Sequence, residues 1–385
     1  MSSPETFSAA SDAAAAAHAA KRLVVKVGSA ILCGDAGAVR SAWLSALAID
    51  IARLRSEGVE VAVVTSGAIA LGRKKLGLSG SLRLDEKQAA SAAGQVALAE
   101  AWQAAFAPHD IHVAQILLTL DDTEERRRYL NARTTMRTLL DLGALPLINE
   151  NDTIATSEIR YGDNDRLAAH AAQLIGADLL VILSDIDGLY TADPRRDSSA
   201  RHISVVDVIT PEIESAAAGP NQDAGVGAGG MASKIAAAKI ACGAGCATVI
   251  APGLIDYPLN AVLTGGAATL FRPSNTRDRA RRQWIAGRLK PAGAVRVDQG
   301  AAKALRSGAS LLPAGITAVT GTFSRGDAIE ISGPEGEIIG KGLSAFDARD
   351  IKKIAGQRSD QIESILGYRR RPAVIEKDDL ILKAD

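Results

Sequence analysis

Two dense polar runs, Asn149-Glu150-Asn151-Asp152 and Gly162-Asp163-Asn164-Asp165, lie among apolar, strand-like segments. Carboxylates and amides gathered this closely repel one another unless a cation or a hydrogen-bonding ligand draws them together. Each run alone also reads as an ordinary polar turn, because Asn, Asp and Gly favour turns. The opposite charge comes from two lysines. Lys26 interrupts the apolar run Leu23, Val24, Val25, Val27 just before Gly28. A lysine buried there needs an anion, whereas one on an edge strand could snorkel to water. Lys234 follows the glycine-rich stretch from Gly225 to Ser233, in what would be the first turn of a helix. Free N–H groups and the positive helix end at Ala228, Gly229, Gly230, Met231, Ala232 and Ser233 could cradle phosphate, with Lys234 as a point charge.

The stretch contains G-x-G-x-x-G at Gly225, Gly227 and Gly230, but residues 215–224 ahead of it read as a polar loop. The dinucleotide fingerprint therefore lacks its strand. It is not a Walker loop either, since Ala232 and Ser233 stand before Lys234. A flexible loop is the plainer alternative. Two lysines, a phosphate cradle and carboxylates able to hold Mg²⁺ together point to phosphoryl transfer. That reaction needs charge neutralisation and in-line positioning more than covalent help. His18, His109, His112, His170 and His202 are scattered, and no Ser-His-Asp or Cys-His arrangement is apparent.

These residues need a scaffold. Short apolar runs at 22–27, 59–64, 112–118, 145–148, 179–183 and 247–250 predict strands; patterns at 86–107, 122–142, 165–175 and 231–243 predict helices. Alternation of the two predicts right-handed βαβ units, hence an α/β fold with a mainly parallel sheet sandwiched by helices. The strand ends read Lys26-Val27-Gly28-Ser29, Thr65-Ser66-Gly67-Ala68, Asn149-Glu150-Asn151-Asp152 and Ser184-Asp185. Ligands of open α/β sheets bind beyond such carboxyl ends.

The hydrophobic share is 47% with aromatics at only 3%, so the core must be built from Ala, Val, Ile and Leu, as suits a sheet covered on both faces. With 44 basic and 44 acidic residues, no global field draws the chain to nucleic acid or membrane. Cys33, Cys242 and Cys246 read as reduced, small apolar residues of a cytoplasmic protein, and no apolar run is long enough to span a bilayer. Residues 1–20, rich in Ala and Ser without an early Arg or Lys, are expected to be a flexible extension rather than a targeting signal. The α/β domain is expected over 21–275, followed by a basic linker at 276–291 and a small, mostly β domain at 292–385.

The runs from Val24 to Ser29, Val64 to Ile69, Ile148 to Asp152 and Gly162 to Asp165 resemble the amino-acid kinase family, and within it the branch acting on L-glutamate. The segments Ser184-Asp185, Asp187 to Pro194 and Gly229 to Lys234 are similar to that family's nucleotide side. Residues 292–385 resemble a PUA domain, most closely at Thr320-Gly321-Thr322-Phe323-Ser324-Arg325-Gly326-Asp327. The resemblance implies ATP- and Mg²⁺-dependent phosphorylation of the γ-carboxylate of L-glutamate to L-glutamyl 5-phosphate, the first step of proline biosynthesis. It implies that Lys26 and Lys234 neutralise the transferring phosphoryl group, with Asp165 organising them. Ser66, Asp152 and Asn164 would bind glutamate, Asp152 at the ammonium and Asn164 as an uncharged donor to its carboxylates. Ser184, Asp185 and the segment from Ala228 to Lys234 would line the ATP site. The resemblance names no protein ligand for Mg²⁺. It further implies a homo-oligomer, dimer or tetramer, and feedback inhibition by proline near residues 149–161. Glu150 and Asp163 are left as turn or supporting residues. A sister kinase for aspartate, N-acetylglutamate, carbamate or UMP is the first alternative. RNA binding is the second, opposed by the mixed charge and few aromatics of the last domain.

Overall fold

The computed structural model describes residues 5–34, 37–154, 164–217, 230–276, 291–368 and 372–383. The chain divides into two compact units, Met1–Glu125 with Asn131–Arg277, and Arg126–Leu130 with Asp278–Asp385.

In the first unit, eight strands form one sheet: β1 (Arg22–Val27), β2 (Glu60–Thr65), β3 (Val113–Leu118), β4 (Leu145–Glu150), β5 (Leu179–Ser184), β6 (Val205–Val206), β7 (Ala247–Pro252) and β8 (Thr269–Phe271). Their spatial order is β3-β4-β2-β1-β5-β7-β8-β6. All neighbouring pairs are parallel except β7 with β8. The mainly parallel sheet is as the sequence predicts; the short edge strands β6 and β8 and the one antiparallel pairing are not legible in it. Strands β4, β2, β1 and β5 lie side by side at the centre, so their polar carboxyl ends become neighbours.

The helices that position the site and cover the sheet are α1 (Glu5–Ala19), α2 (Ser41–Ser56), α3 (Ala68–Lys75), α4 (Leu84–Phe106), α5 (Asn164–Ile175), α6 (Met231–Gly243) and α7 (Pro258–Leu263). The core is built of small and branched side chains, with Val25, Leu47, Ile51, Val63 and Leu147 at 0 or 1% exposure. α1 corrects the expectation of a flexible extension. Ala13 and Ala20 are buried in the core, His18 Nε2 lies 3.1 Å from the Leu263 carbonyl, and Asp12 pairs with Arg272 at 3.0 Å. Alanine is the best helix former, and its small side chain permits close packing of the run, so a segment that looked featureless is a docked helix. The helix expected at 122–142 is divided at Glu125, whose ψ of 116° is extended.

Two glycines bring α3 and α4 unusually close. A Cβ on Gly72 would lie 1.7 Å from the Ala90 carbonyl oxygen, and one on Gly94 would lie 1.8 Å from that of Ala68. No side chain fits at either position without separating the helices. Ala68 follows Ser66-Gly67 at the end of β2, so the crossing lies directly behind one of the polar strand ends.

The second unit holds a five-stranded sheet of β9 (Gly293–Val297), β10 (Ile316–Gly321), β11 (Ala328–Ser332), β12 (Ile338–Leu343) and β13 (Leu380–Leu382), in the order β10-β9-β11-β12-β13. It has its own core around Val295, Ile331, Phe346, Ile351 and Val374. Besides a helix at Gln299–Arg306, it carries short helices at Ala348–Ile354 and Ile362–Leu366. Their one or two turns are too brief to leave a clear periodicity in the sequence.

Candidate active site

Asp165 lies in the first turn of α5, and it is the point where the two lysines meet. Lys26 Nζ lies 2.6 Å from its Oδ1 and Lys234 Nζ 3.3 Å from its Oδ2. All three are buried, at 6% exposure for Lys26, 5% for Lys234 and 1% for Asp165. Burial by itself would raise the pKa of Asp165, but the two ammonium groups outweigh it and hold the carboxyl below its usual range. Lys26 comes from the middle of the sheet and Lys234 from the first turn of α6, so neither is an edge lysine reaching for water. One carboxylate facing two lysines leaves the cluster net positive, which suits it to an incoming anion.

Beside Lys26 opens a cavity of about 340 Å³. Its walls include Ser66, Asn149, Glu150 and Asp152 from the strand ends, with Arg73, Lys87 and Asn164 from α3, α4 and α5. Asn164 is fixed from three sides. Its Nδ2 donates to Ser66 Oγ at 2.6 Å, to the Thr65 carbonyl at 3.0 Å and to Asn149 Oδ1 at 3.0 Å. Asn149 Oδ1 also accepts from the Glu150 N–H at 2.9 Å. The amide of Asn164 therefore spends its donors inside the protein. Its Oδ1 is buried without a hydrogen-bond partner among the described residues. The donor expected of Asn164 is thus engaged within the protein, and Oδ1 is the atom of its amide left without a partner among those residues.

Asp152 accepts from Ser91 of α4, with Oγ to Oδ2 at 2.5 Å. Burial raises the Asp152 pKa, and the bond from Ser91 opposes that rise.

On the other side, Ser184 Oγ donates to Asp185 Oδ1 at 3.2 Å, and Arg195 Nη2 donates to Asp185 Oδ2 at 3.0 Å. Burial would raise the Asp185 pKa; the bonds from Arg195 and Ser184 together with the charge of Lys234 lower it. Gly230 caps α6 in an extended conformation and, having no side chain, offers the first N–H groups of the helix no side-chain cap of its own. That is the anion-binding end of a helix. Met231, Ala232 and Ser233 occupy its first turn beside Lys234. Ala228, Gly229, Gly162 and Asp163 lie outside the described residues.

The structure thus brings Lys26, Asp165 and Lys234 into one cluster, and places Ser66, Asp152 and Asn164 on one cavity beside it. Sequence reasoning missed Ser91, Arg73, Lys87 and Arg195, and it underrated Glu150, which is buried in the cavity wall. Arg195 directly follows the family-like segment ending at Pro194. Ser91 is the lone hydroxyl in an alanine run. Arg73 and Lys87 look like ordinary helix-surface cations. Among the described residues no three His, Cys, Asp or Glu side chains converge on one point.

The open parallel sheet, with paired lysines and an uncapped helix start at its carboxyl edge, is the framework of an α/β phosphotransferase. Residues 21–252 match the amino acid kinase family, and residues 293–366 match the PUA domain. The chain belongs to the amino acid kinase family and carries a PUA domain. It is 55% identical over 366 residues to the glutamate 5-kinase of Paramagnetospirillum magneticum, covering 95% of this chain and 98% of the relative. It is 57% identical over 365 residues to the glutamate 5-kinase of Caulobacter vibrioides, covering 94% and 97%. Among solved structures, the UMP kinase of Ureaplasma parvum superposes with a TM-score of 0.45 at 14% identity, covering 66% of this chain and 98% of that one.

Proposed function

We propose that this chain transfers the γ-phosphoryl group of ATP to the γ-carboxylate of L-glutamate, giving L-glutamyl 5-phosphate and ADP, the opening step of proline biosynthesis. The observation that carries the reading is Asp165 held between Lys26 and Lys234 at the edge of a polar cavity. It occurs in a chain that shares more than half its residues, over nearly its whole length, with glutamate 5-kinases. A carboxylate oxygen of glutamate attacks the γ-phosphorus, and the bond to the β,γ-bridging oxygen breaks as ADP leaves. Charge gathers on the moving group, and fixed cations stabilise it without reorganisation. Lys26 and Lys234 are those cations. Asp165 fixes both ammonium groups in place.

In the cavity, Asp152 takes the substrate ammonium, and the unpartnered Oδ1 of Asn164 offers it a second acceptor. Ser66 Oγ accepts from Asn164, leaving its own O–H to donate to a substrate carboxylate. The nucleotide phosphates lie along the start of α6, from Ala228 and Gly229 through Gly230, Met231, Ala232 and Ser233 to Lys234, with Ser184 and Asp185 beside them. Mg²⁺ neutralises nucleotide charge when bound. Asp165 is engaged by two lysines and Asp185 by Arg195 and Ser184, so the side chains present suit an ion held mainly by phosphates and water.

The same reading assigns proline as a feedback inhibitor competing near residues 149–161, a homo-oligomeric dimer or tetramer, and a cytoplasmic location. Among the described residues no helix is long and apolar enough to cross a membrane. The test is to trap the product. With ATP, Mg²⁺, L-glutamate and hydroxylamine, ADP and γ-glutamyl hydroxamate should form in equal amounts. ADP release indifferent to glutamate, or no hydroxamate, would refute the assignment.

A further inference from the structure

Ser91 is the one hydroxyl in the run Ala89-Ala90-Ser91-Ala92-Ala93 of α4. It is 1% exposed, and its Oγ lies 2.5 Å from Asp152 Oδ2. An ionised carboxylate only accepts, so the hydroxyl donates, and the separation is at the short end for a charge-assisted bond. Serine inside a helix is less favourable than alanine, and a buried hydroxyl is costly unless it is bonded. Asp152 is the partner that offsets both costs.

The position is set by the helix crossing. Ala90, the residue before Ser91, packs its carbonyl against Gly72, while Gly94 packs against the carbonyl of Ala68. The same contact therefore fixes Ser91 on α4 and the start of α3, immediately after Ser66 and Gly67. Ser66 and Ser91 are thereby held at a constant separation.

We propose that Ser91 is a positioning residue for glutamate recognition: it locks Oδ2 of Asp152 and leaves Oδ1 for the α-ammonium group of the substrate. The inference rests on the cavity being the glutamate site. The charged groups sharing that cavity are Lys26, Arg73, Lys87 and Glu150. The cations favour ionised Asp152, and Glu150 opposes it. Burial already pushes the Asp152 carboxyl up, and the Ser91 bond pulls it back. Without that hydroxyl the carboxyl takes up a proton at a higher pH, and a protonated Asp152 holds an ammonium poorly.

In the full-length chain, Ser91→Ala should raise KM for L-glutamate about tenfold, the scale of one charge-assisted hydrogen bond. Both kcat and KM for ATP should stay within about twofold. The acid limb of kcat/KM for glutamate should move to higher pH. Ser91→Thr, which keeps a hydroxyl, should recover most of the loss. In an Asp152→Ala background Ser91→Ala should add little, because the acceptor of the Ser91 hydroxyl is already gone. An unchanged glutamate KM in Ser91→Ala would overturn the assignment, as would a loss confined to kcat or to thermal stability. If wild type turns over glutamate and Ser91→Ala matches it, the role of Ser91 alone fails. If wild type does not phosphorylate glutamate, the proposed reaction fails and this inference with it.

Discussion

Lys234 and Lys26 share one carboxylate but come from different elements, and each should leave its own mark on the kinetics. Lys234→Ala should lower kcat by about a hundredfold or more while the fold persists, the scale seen when one preorganised charge-stabilising group is removed. Steady-state rates alongside circular dichroism check this, and a loss under tenfold would remove Lys234 from the chemistry. Asp165→Asn should do broader damage. It leaves two buried ammonium groups facing a neutral amide, and removing one partner of a buried ion pair costs about 3–5 kcal/mol. A denaturant midpoint close to wild type would contradict the bridging role. The sign of the pH effect follows from the same carboxyl. Asp165 is held below its unfolded pKa, near 3.9, so its stabilisation is present above that value and is lost as pH falls through the depressed folded pKa. Asp152 behaves in the opposite sense. Burial holds it above the usual carboxylate value, so glutamate affinity should fall with acid before Asp165 titrates. Asp152→Asn should raise KM for glutamate and flatten that acid limb; a limb that survives would place the titrating group elsewhere. At this scale the sequence disclosed the charged actors, since a lysine in an apolar run and aspartates closing two dense polar runs stand out. It could not disclose that Asn164 spends its donors internally, because that depends on Thr65, Ser66 and Asn149 meeting the start of α5 from the ends of two strands.

The α3–α4 crossing is the element whose geometry sets the cavity. Gly94→Ala would place a methyl 1.8 Å from the Ala68 carbonyl oxygen, so the helices must part. Overpacking of this kind costs about 1–3 kcal/mol, and here it should also raise KM for glutamate, because Ser66 and Ser91 both hang on the crossing. Lower stability with an unchanged KM would mean that the cavity tolerates the shift. Neither Gly72 nor Gly94 could be singled out beforehand, since a glycine inside a helix shows a reason only once its partner is known. Elements with long periodic signals were legible: β1, α4, α5 and α6 are found within two residues of where the pattern puts them. The two-residue β6, the three-residue β8 and the antiparallel β7–β8 pairing leave no such signal. α1 was misread because alanine contributes little hydrophobic contrast, although it forms helix and packs closely.

At the scale of the whole molecule, a composition rich in Ala, Val, Ile and Leu and poor in aromatics foreshadowed a layered α/β protein. Each unit has its own core, and every described residue assigned to the reaction lies in the first unit. The central claim is substrate choice, because a lysine-paired phosphate site alone does not select the acceptor. The most direct measurement is ATP turnover by the purified full-length chain with L-glutamate, L-aspartate, N-acetylglutamate, carbamate and UMP compared at equal concentration. The account predicts ADP release with L-glutamate at least about a hundredfold above the others, on the scale of discrimination by buried polar contacts. Turnover of aspartate or UMP with none on glutamate would contradict it.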